Sequence, residues 1–138
     1  MATRSTISVV EPNSNRIISV YCHWDGYLAH NGRILRNHYS ELDDALELVS
    51  NGSISALEDN VDDTVYYSRN RGEAWSSVKP KIYDNWTHFT AELNTEEYNY
   101  VFMNNEWHLL SGQRVQWLLN YGIVPLSQYS QTNITETT

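Results

Sequence analysis

Two stretches near opposite ends of this chain have the form of β-hairpins, and the one strong helical stripe falls between them. Tyr98 to Met103 and Glu106 to Leu110 alternate in character around Asn104-Asn105, and asparagine tolerates the left-handed backbone that a two-residue hairpin turn demands. Thr6 to Val10 and Arg16 to Cys22 are rich in β-branched residues and flank Glu11-Pro12-Asn13-Ser14-Asn15, a run dense in turn formers. Between the hairpins, Ser40 to Asn51 sets Leu42, Ala45, Leu46 and Val49 at helical spacing, with acids on the other face. Ser40 with Asp43 has the form of a capping box, and Gly52 is placed to end the helix. After the second strand Trp24-Asp25-Gly26 is expected to turn the chain, with Gly26 able to take a positive φ. A shorter helix is expected over Asn31 to His38, with Ile34, Leu35 and His38 on one face, although Gly32 weakens it. The expected fold is α+β: an antiparallel sheet from the N- and C-terminal hairpins with two helices packed on one face.

Smaller features fill in the chain. Val65-Tyr66-Tyr67 reads as a short strand, Ser68 to Glu73 as a polar loop, Lys79-Pro80 as a break, and Gln113 to Asn120 as a short helix. From Ser127 onward the sequence is polar and has no stripe to bury, so residues 1–126 are expected to form a single domain and 127–138 a flexible tail. Among the five tryptophans, Trp75, Trp86, Trp107 and Trp117 are expected in the core or at contacts between copies, which makes self-association an expectation.

Composition narrows the function classes. The 138 residues are 41% hydrophobic, enough for one domain with a core and too few for two. No apolar run approaches the roughly twenty residues that cross a bilayer, and the N-terminus lacks the apolar region of a signal peptide, so a cytosolic protein is expected. Cys22 is the only cysteine, which excludes an internal disulfide and a multi-cysteine zinc site. The net charge of −8 argues against binding a nucleic-acid backbone. Its distribution is uneven: Glu41, Asp43, Asp44, Glu47, Glu58, Asp59, Asp62 and Asp63 share a window without a lysine or arginine, while bases cluster elsewhere, Arg33 with Arg36, Arg69 with Arg71 and Lys79 with Lys81.

Four kinds of chemistry can be weighed. His23, Asp25, His30 and His38 are metal-ligand types, but their spacing fits no established pattern; histidines bonded to backbone at a turn explain them as well, and no metal or cofactor is assigned. Cys22 beside His23 could suggest nucleophilic catalysis, yet neighbours on a strand point to opposite faces, and no nucleotide-loop, nucleophile-elbow or zinc-protease motif occurs, so no catalytic residue is assigned. Recognition of a small anionic, ring-containing ligand needs arginines for phosphate and aromatic faces for a base. Arg69 and Arg71 are the expected phosphate ligands, Tyr66 or Tyr67 the stacking face, Arg33 and Arg36 further cations, and His23, Trp24 and Asp25 the residues shaping the pocket. The bland alternative is that these arginines make ordinary surface ion pairs. Finally, Asp43, Asp44 and Glu47, extended by the acids from Glu58 to Asp63, could cover a basic groove on a protein partner, or could simply be a solvated helix face.

Several motifs occur together: MATRSTI at the start, YCHWDGY from Tyr21 to Tyr27, Asn31-Gly32 with Leu35 and His38-Tyr39, the Arg69-x-Arg71-Gly72-Glu73 loop, and EYNYVFMNNEW around the second hairpin. This combination resembles a family of small accessory proteins of tailed bacteriophages and prophages, over about the first 75 residues and again at that hairpin. In size and character the chain is also similar to the type 1 Thoeris anti-defence proteins, which sequester cyclic ADP-ribose-type signals without cleaving them. The resemblance implies a viral, non-enzymatic binding protein acting in the host cytoplasm against a host defence or process, through a nucleotide-derived signal or as an acidic inhibitor of a host protein.

Overall fold

The computed structural model describes residues 2–110 and the backbone of one further strand at 123–125. The expected helix at Gln113 to Asn120, Trp117 and the tail from Ser127 lie outside the described residues.

The opening hairpin forms as expected: β1 (Ser5–Val10) pairs antiparallel with β2 (Ile17–Cys22), from Ser5 opposite Cys22 to Val10 opposite Ile17. A π-type turn over Leu28–Gly32 leads into α1 (Arg33–His38), and α2 (Leu42–Ser50) follows. Next come β3 (Ile54–Ala56), β4 (Val65–Tyr66), the single turn α3 (Trp75–Val78), β5 (Lys81–Tyr83) and α4 (Trp86–Glu92). The second hairpin is β6 (Tyr98–Met103) with β7 (Glu106–Leu110), and β8 (Ile123–Pro125) pairs antiparallel with β7. Asn104 and Asn105 take φ of +54° and +63°, the left-handed pair a tight hairpin needs.

The fold is α+β, and the sheet is mixed. Its order is β4-β3-β2-β1-β6-β7-β8, with β5 on the same edge of β2 as β3. Each hairpin is antiparallel, but β1 joins the two by pairing parallel with β6, and β2 pairs parallel with β3. The expected all-antiparallel sheet is therefore corrected at its centre. The long connection between β1 and β6 holds the helices that a parallel crossover requires. Burial agrees: Ser5, Thr6, Ile7, Ser8 and Val9 are all buried, as a strand covered on both faces must be.

Alternation divides the sheet into two faces. On the first, Ile7, Val9, Val20, Cys22, Tyr100, Phe102 and Trp107 pack against Ile34 and Leu35 of α1 and Ala45, Leu48 and Val49 of α2. These are the two expected helices on one face. Gly32 belongs among them: a Cβ there would lie 3.3 Å from both Leu28 Cδ2 and the Tyr100 hydroxyl. On the second face, Ile17, Val101 and Leu110 pack with Tyr83, Phe89 and Leu93 beneath α4. That helix begins where Asn85 Oδ1 accepts the His88 N–H at 2.9 Å.

Two local expectations change. The residue before α2 is Glu41, with no side-chain cap, so Ser40 and Asp43 form no capping box; Gly52, at φ +87°, does end the helix. After β2 the left-handed residue is Asp25, at φ +58°, rather than Gly26. Gly26 is needed for closeness instead: a Cβ would stand 2.8 Å from Ser5 Cβ and 2.9 Å from the Thr3 carbonyl oxygen.

Candidate functional site

Arg69 is exposed but commits its donors to the neighbouring loop. Its Nη2 donates to the carbonyls of Val61, Asp62 and Thr64 at 2.9, 3.2 and 2.7 Å, and its Nε to Asn70 Oδ1 at 3.1 Å. The guanidinium lies 4.7 Å from the centre of the Tyr66 ring. Tyr66 is fully buried, and its hydroxyl donates to the Leu48 carbonyl at 2.7 Å. Tyr66 therefore has no free face for a ligand, and Arg69, although exposed, has its Nη2 and Nε donors committed to the loop. The segment is also a turn, since the amide of Asn70 donates to the Tyr66 carbonyl, so Arg69 and Arg71 do not share one extended face. Arg71 separates from its neighbour, with its guanidinium 5.5 Å from the Tyr67 ring centre and Nη1 3.4 Å from Ser55 Oγ.

Arg33 opens onto a different groove of about 360 Å3, shared with His30, Asn37, His38, Glu58 and Asp59. Arg36 is partly buried on the same helix, so these two arginines do not join Arg71. The candidate metal ligands are dispersed as well. His23 Nδ1 is 2.6 Å from the Tyr21 hydroxyl, His30 Nδ1 is 2.8 Å from Asn31 Oδ1, and His38 Nε2 is 3.6 Å from Asp59. Cys22 faces the core, where burial pushes its thiol up to about 11.

The YCHWDGY corner and the Tyr67-Arg71 turn do meet. The amides of His23 and Trp24 donate to the carbonyls of Ile54 and Ser55, both at 3.0 Å, which continues the β2–β3 pairing beyond the strand. Trp24 is 42% exposed, and its indole stands edge-on to the His23 ring at 4.7 Å. Arg71, through Ser55, reaches the same stretch of β3.

A cleft that the sequence reading did not assign lies beside this corner. On the second face, the positions along β2 pass from Ile17 to Ser19 and Tyr21, and along β1 from Val10 to Ser8 and Thr6. Beneath α4 this face is apolar, and beyond α4 it is hydroxyl-rich. Ser8 donates to Ser19 at 2.8 Å, and Thr6 donates to Asn99 Oδ1 at 2.8 Å. Asn99 also holds the chain after α4, accepting the Glu96 amide and donating to the Glu96 carbonyl, both at 3.0 Å. The cleft encloses about 190 Å3 over Thr6, Ser19 and Tyr21, with Ser77, Lys79, Lys81 and Tyr83 on one side and Asn94 and Glu96 on the other. Past Lys79, Lys81, Tyr83 and Asn94 it widens into a mouth of about 690 Å3. Pro80 explains the wall: it forces Lys79 out of the helical region, to ψ 156°, so α3 stops and β5 begins at once.

Lys79 and Lys81 are the only lysines in the chain, and both line this cleft. Among the described residues neither makes an ion pair, whereas Glu96 supplies one carboxylate to the opposite wall. Burial raises the pKa of the Tyr21 phenol, with Arg4 opposing the shift, and burial followed by Glu92 raises that of Tyr83. Both phenols therefore stay protonated at neutral pH, with the Tyr21 hydroxyl bonded to His23 Nδ1. The polar positions of β1 and β2, every second residue in otherwise apolar strands, were the available signal for this site.

The acids gather elsewhere. Asp43, Asp44 and Glu47 are exposed on α2, and Asp59, Asp44 and Glu47 all act on the Tyr39 hydroxyl, which burial and these carboxylates push up to about 12. The chain matches no known family model, no curated protein and no solved structure.

Proposed function

We propose that this chain is a non-enzymatic binding domain that holds a small anionic ligand of the nucleotide-derived class in the cleft between β5 and the segment after α4. The observation that carries the reading is the meeting of the chain's two lysines, free of carboxylate partners among the described residues, over a floor of hydroxyls and protonated phenols. Such a setting favours an oxyanion, because ammonium and hydroxyl groups donate where few acceptors compete. The role against a host defence rests on the resemblance of the YCHWDGY and Arg69 to Glu73 motifs to phage accessory proteins. Within it, the ligand is a signal such as cyclic ADP-ribose or a cyclic nucleotide, held in the host cytoplasm. Isothermal titration with cyclic ADP-ribose, cyclic AMP and AMP tests the reading: at least one should bind, Lys79→Ala with Lys81→Ala should weaken it at least tenfold, and the ligand should be recovered intact after denaturation. A hydrolysed product, or binding indifferent to both lysines, would overturn it.

A second reading is favoured by the convergence of Asp44, Glu47 and Asp59 around Tyr39, which concentrates negative potential on one region of the surface. It makes the chain an acidic inhibitor of a host protein with a basic groove. Capture of such a partner from host lysate should be abolished by reversing Asp43, Asp44 and Glu47; unchanged capture rejects it.

A further inference from the structure

The enclosed cleft, at about 190 Å3, is smaller than the roughly 300 Å3 at which pockets for drug-sized ligands begin. It suits a phosphate group, and a nucleotide seated there must place its ring outside. We propose that the ring lies on a ledge formed by Tyr21, His23, Trp24, Tyr67 and Arg71, so that the site has an anion subsite and a stacking subsite joined at Tyr21. This inference rests on the cleft reading and adds where the ring goes and what chemistry the ligand must carry.

Four observations carry it. Tyr21 lines the cleft while bonding through its hydroxyl to His23, whose ring meets Trp24 edge-on, so aromatic surface runs outward from the anion subsite without a break. The parallel pairing of Cys22 with Ile54 sets the end of β2 beside β3, and Arg71 reaches across to Ser55 there. Arg71 lies over Tyr67 and is exposed, and a guanidinium plane can stack on nucleobases. The ledge is also fixed in advance: the amides of His23 and Trp24 are tied to β3, Asp25 sits in a left-handed turn, and Gly26 is wedged against Ser5. Preorganised aromatic surface binds with less loss of entropy than mobile surface. The exposed part of the Trp24 indole offers a face on which a base can stack.

Equilibrium binding of AMP and of inorganic phosphate to the wild type, Trp24→Ala, Arg71→Gln and Lys81→Ala tests the proposal. Trp24 and Arg71 are exposed at the surface, so both variants should keep the wild-type circular dichroism and stay folded at the assay temperature. The wild type should bind AMP at least tenfold more tightly than phosphate. Trp24→Ala and Arg71→Gln should each weaken AMP at least fivefold and leave phosphate within twofold, whereas Lys81→Ala should weaken both. AMP binding that is unchanged in Trp24→Ala and Arg71→Gln but lost in Lys81→Ala overturns the ledge and leaves the cleft standing. A parallel loss of AMP and phosphate in Trp24→Ala also overturns stacking, because the residue would then act through the cleft's shape. Binding of neither AMP nor phosphate by the wild type overturns the cleft reading and the ledge with it.

Discussion

Arg69 shows how the same guanidinium chemistry serves structure or binding according to where its donors go. Its Nη2 gathers three carbonyls of the acid-rich loop, and Asn70, which accepts from its Nε, also accepts the Tyr66 amide at 2.9 Å. Arg69→Ala should therefore lower stability by about 1 kcal/mol in urea unfolding and leave AMP affinity unchanged, since the freed carbonyls can turn to water. Tyr39 gives a second test at this scale. Its hydroxyl donates to the Glu58 carbonyl at 2.9 Å, and burial, opposed by a hydrogen bond with Thr64 and aided by the nearby acids, pushes its pKa up from the ordinary 10.0 to about 12. A pKa raised on folding gives stability that is complete below the unfolded value and lost as pH climbs through the folded one. The urea midpoint should hold from about pH 8 to 9.5 and fall between about pH 10 and 12, with a shallower fall in Tyr39→Phe. Tyr66 and Tyr100, raised by burial as well, act in the same direction. A midpoint rising through that window would contradict the assignment.

At the scale of elements, legibility followed the range of the interactions that define each one. The Asn104-Asn105 turn could be read because two left-handed residues are a local demand, and Asn105→Val should cost about 1–2 kcal/mol, measured as a lower urea midpoint with unchanged slope, because a β-branched residue strains at φ +63°. The α2 stripe and the hairpin of β1 with β2 were legible for the same reason. The parallel pairing of β1 with β6 was not, because strand alternation fixes which side chains share a face and says nothing of which strand lies alongside. Helix α4 lay within reach: Asn85 can cap, and Trp86, Phe89 and Leu93 follow a helical period. The candidate site was half legible. His23 packs with Trp24 and Tyr67 with Arg71, both pairs against the same stretch of β3, while Tyr66 and Arg69 fall to the core and the loop. Whether a tyrosine at a strand end faces core or cleft depends on register. Tyr66 is opposite Ile54 and so points inward, and Tyr67, one residue on, does not.

Across the whole molecule, the net charge of −8 is spread unequally between two regions. The cleft holds both lysines, and the surface around α2 and the β3–β4 loop holds Asp43, Asp44, Glu47, Glu58, Asp59, Asp62 and Asp63, all exposed. Among the described residues the close contact of an acid in that region with a basic side chain is His38 Nε2 to Asp59 Oδ1, at 3.6 Å with both side chains exposed. Exposed contacts of this kind contribute about 0–1 kcal/mol, and with Arg69 on the loop and Arg33 beside Glu58 and Asp59 as the neighbouring cations, the seven acids still outnumber them and repel one another on balance. Repulsion between exposed charges is screened beyond about 10 Å at 0.1 M salt and reaches about 30 Å at 0.01 M. Three consequences follow from those lengths. Raising sodium chloride from about 10 mM to 500 mM should raise the melting temperature. Asp43→Lys with Glu47→Lys should raise it at low salt and flatten its dependence on salt, since Asp44 and Asp59 would then face opposite charges. Phosphate affinity at the lysine cleft should fall over the same range of salt, because that attraction is screened too. Stability and binding would thus respond to salt in opposite directions, and a melting temperature that fell with salt would show that the acids are stabilised by partners rather than merely solvated.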